Sequence, residues 1–327
     1  MKFTENMLND FARPLSETED AKCKNAIRMV GDALKVLGFY DGTAGIYKLY
    51  PDTYAYTLQM HSNSGRHIKL FVQGSYANNT NVRMHSDVDI AVVQEDVFIT
   101  EYRKDFFPQS DQDYGFSSID PPVKTFKDEV QECLEAKFGS DVERKNKSIK
   151  VHGNTYRKDA DTVPCKRYRD YRIDFVKDSD NYIGGIVITP DHGPRIINYP
   201  EQHILNGRDK NVATHFYYKK MVRIMKKMRF LMEESPFKSF SDAAKNVSSF
   251  LLESLLWNIE EDWYLDNCGK YRKVFAFYML IRSLEKRKAD LMKYKEANGL
   301  KPLCENNTVK DNICTFIDQL KVFYEYE

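Results

Sequence analysis

Residues 71–93, FVQGSYANNTNVRMHSDVDIAVV, set a Gly74-Ser75 turn between two apolar runs and then place Asp87 and Asp89 one residue apart on the second run. Alternate residues of a strand share a face, so these two carboxylates repel each other unless a cation lies between them. Val88, Ile90 and Val92 alternate to the opposite face, which makes one side of the strand a core surface and leaves acid on the other. That layout suits Mg2+, a hard cation held by carboxylates, water and substrate phosphates. The plainer alternative is an exposed strand with two solvated aspartates, since D-x-D is a common pattern. The turn favours the cation. A strand that ends at Gly74-Ser75 and opens onto a short helical start presents backbone N–H groups and a hydroxyl to a terminal phosphate. Gly74 lets the backbone approach closely. Phosphate cradle and metal carboxylates together imply a nucleoside triphosphate.

Outward from this stretch, SETEDAKCKNAIRMVGDALKVL (16–37) has helical apolar spacing, with Ser16 as N-cap and Gly38 just beyond the end. Strands are expected at 67–74, 86–93, 149–153, 160–164, 171–176 and 182–189, with a helix at 123–138. From about 212 the pattern becomes helical, at 212–233, 248–259, 274–295 and 308–324. The domain boundary is expected in NYPEQHILNGRDKN (198–211), where Pro, Gly and Asn cluster. A sheet-containing core over 1–200 and a helical domain over 201–327 follow, an α+β architecture.

The 327 residues suffice for two domains. A formal net charge of +1 argues against a protein built to coat a polyanion, so no stable nucleic-acid partner is expected. Six cysteines lack any CxxC pairing, and no run approaches the ~18 apolar residues of a membrane span. A cytoplasmic protein without a membrane association is the expectation.

Three residues compete to be a third carboxylate: Asp159, Asp161 and Asp174. Asp174 lies in YRIDFV, where an acid inside an apolar strand is costly unless it binds something. On the helix at 212–233, Lys219, Arg223 and Lys226 fall within about 60° of one another, opposite Met221, Met225, Met228 and Met232. The helix thus pairs a basic stripe with a core face. A solvated lysine face is the ordinary reading of such a stripe; opposite an acidic metal site it would hold polyphosphate.

GSYANNTNVRMHSDVDIAVV resembles the GS…(S)DxD signature of the polymerase-β-like nucleotidyltransferases. The later segments GGIVITPDHGPRIINYPEQHILNGRDKNVATHFYYKKMVRIMKKMR and SSFLLESLLWNI resemble the CD-NTases, relatives of cyclic GMP-AMP synthase that serve bacterial CBASS anti-phage defence. The resemblance implies a polymerase-β-like core with a mixed sheet, followed by a C-terminal helical domain, two lobes around a cleft. It implies two Mg2+ ions, with Mn2+ as a substitute, held by Asp87, Asp89 and, through the match of ADTVP to the family's ADVVP element, Asp161 in preference to Asp174. It further implies nucleotide contacts from Gln73, Gly74, Ser75 and Ser86. Lys226 matches the family lysine on the triphosphate, with Lys219 and Arg223 in support. Ser249 and Phe250 match a Ser-Tyr pair, where Phe250 would stack on the donor base, although a core Phe at the start of a leucine-rich helix is the alternative. Asn198 would lie near a base. The implied activity is joining of ATP, GTP, UTP or CTP into a cyclic di- or trinucleotide that activates a downstream effector, with regulatory CBASS proteins as further partners. Two other readings stand beside it. One is template-free RNA extension of the poly(A) or CCA type, for which the basic runs at 144–150 and 227–230 speak. The other is an inactive nucleotide-binding scaffold.

Overall fold

The computed structural model describes residues 3–82, 87–105, 107–120, 122–265 and 272–325. The chain forms two compact units. One comprises Ser16–Gly74 and Asp87–Glu201 and holds the sheet; the other comprises Met1–Leu15, Ser75–Ser86 and Gln202–Glu327 and is helical. The sequence expectation placed everything before residue 201 in the core, whereas the first fifteen residues and the segment after Gly74 pack with the helices.

The strands are β1 (Phe39–Lys48), β2 (Tyr56–Ser62), β3 (His67–Gln73), β4 (Val88–Glu101), β5 (Val142–Arg144), β6 (Ile149–Val151), β7 (Ala160–Asp170), β8 (Ile183–Ile188) and β9 (Ile196–Asn198). They run in the order β1-β2-β3-β4-β7-β6-β5, with β8 beside β7 and β9 beside β8. β4 and β7 pair in parallel and the other neighbours pair antiparallel, so the sheet is mixed. The helices are α1 (Glu5–Phe11), α2 (Glu17–Leu34), α3 (Gly74–Ala77), α4 (Phe126–Phe138), α5 (Pro200–Ala213), α6 (Tyr218–Glu233), α7 (Lys238–Lys245), α8 (Ser249–Trp257), α9 (Glu261–Leu265), α10 (Lys273–Lys286) and α11 (Asn307–Glu325).

Ser16 caps α2 through a reciprocal bond with Glu19, a capping box. One sheet face carries Leu58, Leu70 and Val92 in register and receives α2. Gly31 packs against this face, where a Cβ would stand 2.7 Å from Leu58 Cδ2 and require that side chain to shift. The opposite face carries a second apolar cluster of Phe71, Ala91, Val93, Val163, Cys165, Ile186 and Ile188. At its far edge Arg167, 4% exposed, bonds both Glu95 oxygens and Glu201, and Glu201 also takes Lys69 at 2.5 Å. This buried cluster pins the start of α5 to the sheet. In the helical unit, α6 is buried on nearly every side within one core built from α1, α6, α8, α10 and α11.

Several expectations are corrected. The strand expected at 171–176 is a run of turns. Arg172 folds back onto the Asp170 carboxylate, and Ile173, Phe175 and Val176 point outward, 58%, 73% and 75% exposed. The segment 198–211, where the domain boundary is expected, is mostly α5, which starts at Pro200, a residue suited to a first helical position, and the division between the units falls at Glu201/Gln202. The helix expected from 212 is broken, because His215 and Phe216 adopt left-handed φ values of 47° and 64°. Strand β7 runs on through Pro164 to Asp170 instead of stopping at 164.

Asp174 is fully buried in those turns and accepts from Tyr114 Oη and Asn181 Nδ2, each at 2.7 Å, and from the amides of Val176 and Asp178. Its carboxyl is drawn below the ordinary range because these donors outweigh burial. The expected outcome of Asp174→Ala is a loss of about 2 kcal/mol or more of stability, read by denaturant unfolding. An unchanged midpoint would contradict this structural role.

Candidate active site

Paired strands put residues in the same register on the same face. Gln73 on β3 faces Asp89 on β4, Asp89 faces Asp161 on β7, and Asp161 faces Lys150 on β6. A polar row, Gln73-Asp89-Asp161-Lys150, therefore crosses four strands of an otherwise apolar face. Asp87 and Asp159 stand two residues earlier on the same two chains, and Lys150 Nζ bonds both, at 2.9 and 3.0 Å. Asp161 also accepts from Ser148 Oγ at 3.4 Å. Of the three candidates for a third carboxylate, Asp161 is the one beside Asp89. Asp159 is engaged by Lys150 and the Gly153 amide, and Asp174 is held in the turns described above.

Gly74 begins α3 with φ +68°, a conformation that disfavours any side chain. A Cβ there would lie 2.5 Å from Asp89 Oδ2. The glycine is thus required twice, for its backbone angle and for the carboxylate against it. Ser75 follows, its carbonyl accepting from the Thr80 amide at 2.9 Å. Ser86 lies outside the described residues.

Burial and the neighbouring Asp161 and Asp87 charges raise the Asp89 carboxyl to about 7. Asp161 is raised as well, by burial and then by Asp87, with Lys150 and Ser148 opposing. Carboxylates that repel each other at the head of paired strands are chemically matched to a hard divalent cation, which would take the place of the proton on Asp89. Among the described residues no three His, Cys, Asp or Glu side chains close into a set that could hold an ion in this arrangement. The reason for Asp87 is visible: its oxygen is turned to Lys150. The residues fit a divalent cation by donor type and charge, with the Lys150 ammonium as the cation that Asp87 now faces.

In the helical unit the stripe on α6 is neither solvated nor open. Lys219, Arg223 and Lys226 are only 3%, 4% and 4% exposed. Arg223 bonds the carbonyls of Ala12 and Asn79 at 2.8 and 2.5 Å. Lys226 Nζ bonds Glu253 Oε2 at 2.6 Å and Thr80 Oγ1 at 3.0 Å. Glu253, 1% exposed, also takes Thr80 Oγ1 at 2.6 Å and His203 Nε2 at 2.9 Å. Burial alone would raise the Glu253 carboxyl, but Lys226 and His203 hold it well below the usual range. Removing Lys226 alone would strip this buried acid of its lysine and leave it to His203 and Thr80, a change that costs up to about 3–5 kcal/mol. The expectation of Lys226 as a phosphate lysine must therefore be weighed against its role as the partner of Glu253. Ser249 is exposed at the first position of α8, and Phe250 is 39% exposed with its ring 5.3 Å from His203, edge to face, rather than in the core. Asn198 lies on β9 opposite Ile186, within the sheet unit.

Sequence reading missed Lys150, whose place in a Ile-Lys-Val strand between apolar neighbours was the available signal, and it missed Thr80, His203 and Glu253. Glu253 in a leucine-rich helix, LLESLL, was a legible cue, since an acid there needs a partner. The basic run at 144–150 is largely neutralised within the sheet unit: Arg144 pairs with Asp191 and Asp128, Lys145 with Glu143, and Lys150 with Asp87.

Comparison with known proteins adds the following. Residues 58–181 match the nucleotidyltransferase domain, and residues 205–325 match the C-terminal helical domain of cGAS/DncV-like nucleotidyltransferases. The chain is 44% identical over 331 residues to a cyclic GMP-AMP synthase of Staphylococcus schleiferi, covering 100% of this chain and 98% of that one. It is 31% identical to a cyclic dipurine nucleotide synthase of Elizabethkingia meningoseptica, covering 94% and 93%. Among solved structures, the Elizabethkingia meningoseptica cyclic dinucleotide synthase with GTP and Apcpp superposes with a TM-score of 0.70 at 29% identity, covering 99% and 100%. The Rhodothermus marinus c-UMP-AMP synthase with Apcpp and Upnpp gives 0.72 at 25%, covering 98% and 97%. Nucleotidyltransferases of this kind generally use divalent metals.

A prediction follows from Asp89. In the folded chain it keeps a proton up to about pH 7, against about 4 when unfolded. Folding therefore takes up a proton between those values, and stability through this group falls as pH rises across that window and stays low above it. A divalent cation on the acids removes that penalty. Mg2+ is expected to raise Tm more at pH 8 than at pH 5.5, and Asp89→Asn to abolish the difference. Equal shifts at both pH values in the wild-type chain would contradict it.

Proposed function

The chain belongs to the cGAS/DncV-like nucleotidyltransferases, and from that premise we propose that its acid row is the centre of a cyclic oligonucleotide synthase. It is an enzyme that joins nucleoside triphosphates by nucleotidyl transfer. In each transfer a ribose hydroxyl of one nucleotide attacks the α-phosphorus of another, an O–P bond forms, the bond to the β-phosphate bridge breaks, and pyrophosphate leaves. A second transfer closes the ring.

Asp87, Asp89 and Asp161 are the residues that would hold two Mg2+ ions, which activate the hydroxyl and neutralise the leaving charge when bound. To hold an ion, Asp87 would have to give up its bond to Lys150, which also bonds Asp159. Asp161, beside Asp89 in register, would complete the acid set. Gly74 and Ser75 turn backbone N–H groups and a hydroxyl to the donor phosphates, with Gln73 beside Asp89 in register. Arg223 and Lys226, spent on the Ala12 and Asn79 carbonyls and on Glu253, act on this reading through the segment that follows Gly74 and not by direct contact with phosphate, while Ser249 and the exposed Phe250 are the candidates for the phosphate and base of the donor. Asn198 reads a base edge. The cyclic product acts as a diffusible messenger for a downstream antiviral effector.

The observation that carries this reading is the packing of a side-chain-free Gly74 against Asp89 while Asp89 stands beside Asp161. RNA extension is less well supported, because the basic run that would track a strand is spent on Asp191, Asp128 and Glu143.

The test is incubation of the full chain with labelled ATP and GTP, the pair named for its 44% identical relative, together with UTP and CTP, in Mg2+. Short phosphatase-resistant products are expected. Asp87→Asn, Asp89→Asn and Asp161→Asn are each expected to lower turnover by at least about a hundredfold with the fold retained. Ladders of lengthening product, or turnover retained in Asp89→Asn, would overturn the reading.

A further inference from the structure

The sheet unit contains a cavity of ≈ 690 Å³ that belongs to none of the residues assigned above. It is lined at the middle of β4 and β7 by Gln94 and Lys166, which are register partners five residues beyond Asp89 and Asp161. At ~3.3 Å per residue that is about 17 Å along the strands. Five is an odd number of residues, so these side chains also leave the sheet on the face opposite the acids.

The volume lies within the ~300–1,000 Å³ typical of small-molecule sites. Phe126, Pro164 and Pro190 supply apolar wall. Four of the cations around the cavity are already committed, Lys124 to Glu132 among them. Arg66 pairs with Glu129 at 2.7 Å, Lys127 with Asp191 at 2.9 Å, and Arg144 with Asp191 at 2.6 Å. Lys127 also bonds the carbonyls of Lys145 and Asn146, which ties α4, the β5–β6 hairpin and the segment after β8 into a fixed rim. Gln94, Lys166 and Arg195 differ. Among the described residues their side chains make no hydrogen bond or ion pair, although Gln94 is only 8% exposed. Its amide lines the cavity and is free to donate to and accept from an occupant of it. The first turn of α4, capped by Thr125, forms part of the same wall and favours negative charge.

We infer that this cavity is a second ligand site, for a small organic anion whose apolar body rests on Phe126, Pro164 and Pro190. Its carboxylate or phosphate meets Lys166 and Arg195, and the Gln94 amide fixes its orientation. The acids Asp191 and Glu129 at the rim interrupt any continuous basic track, so the site suits a compact anion rather than a nucleic-acid strand. Its floor is the same pair of strands that carries Asp89 and Asp161, so an occupant touches the strands that position the acid row.

The test uses the full chain and 8-anilinonaphthalene-1-sulfonate, an apolar ring system with one sulfonate, with its fluorescence titrated in saturating ATP and Mg2+ so that nucleotide sites are filled. A single saturable site is expected, weakened about tenfold or more in the Lys166→Glu, Arg195→Glu double variant. If that pair disturbs the fold, Lys166→Met with Arg195→Met provides the same comparison with a smaller change. Displacement of the probe by phenyl phosphate but not benzoate identifies the anion as phosphate, and the reverse identifies carboxylate. The inference is overturned if the probe binds the double variants as tightly as the wild-type chain, or if no saturable binding is seen in saturating ATP.

Discussion

The repulsion between two carboxylates on neighbouring strands is the constraint on which the sheet unit is organised. Asp89 and Asp161 face the same way in register on β4 and β7, and Asp87 adds a third charge at the head of the same face. A protein does not keep such an arrangement for stability: burial and mutual repulsion hold Asp89 protonated to about pH 7. The surrounding structure is fitted to it. Gly74 gives up its side chain and adopts a left-handed backbone so that the turn can pass against the Asp89 carboxylate. Lys150 gives Asp87 and Asp159 a cation, and the row downstream of the acids returns at once to apolar core with Ala91, Val93, Val163 and Cys165.

The helical unit solves a different electrostatic problem. Its buried charges are mutually satisfied: Glu253 accepts from Lys226, Thr80 and His203, and Arg223 takes two backbone carbonyls. Two of these contacts, from Thr80 and at the Asn79 carbonyl, grip the segment that follows the Gly74-Ser75 turn. The Gly74-Ser75 turn is therefore followed by a segment anchored by a buried ion pair in which breaking one partner costs more than the pair is worth. A basic stripe recognised on sequence alone looks like a ligand surface. Buried, it is first a device for holding chain.

Much of the fold was legible wherever a local rule had one outcome. The capping box at Ser16 and Glu19, the alternation of β3 and β4, and the leucine-rich α8 all declare themselves over short windows. The failures came where tertiary context chose among outcomes. Pro164 read as the end of a strand, yet β6 pairs with β7 only up to Thr162 and β8 begins at Cys165, so the missing N–H falls in a gap between partners. YRIDFV alternates like a strand, but Asp174 recruits Tyr114, Asn181 and two amides and folds it into turns. The break between α5 and α6 carries no Gly or Pro, because His215 and Phe216 take the left-handed angles themselves. Within the site, the D-x-D pair and the Gly-Ser turn were visible as a motif. Lys150 and Glu253 were cues without a named partner, since Asp87 and Lys226 lie more than twenty residues away from them in the chain.

The central claim is that Asp87, Asp89 and Asp161 act together on a divalent cation, and that Lys150 holds Asp87 until one arrives. The most direct measurement is a crystal structure with Mn2+ and a non-hydrolysable ATP analogue, with the metal located by anomalous scattering. The account predicts metal at about 2.0–2.2 Å from carboxylate oxygens of Asp87 and Asp89, with Asp161 beside it and the Asp87 to Lys150 bond broken. Nucleotide bound with the Asp87 to Lys150 pair intact and no anomalous peak at these acids would contradict it.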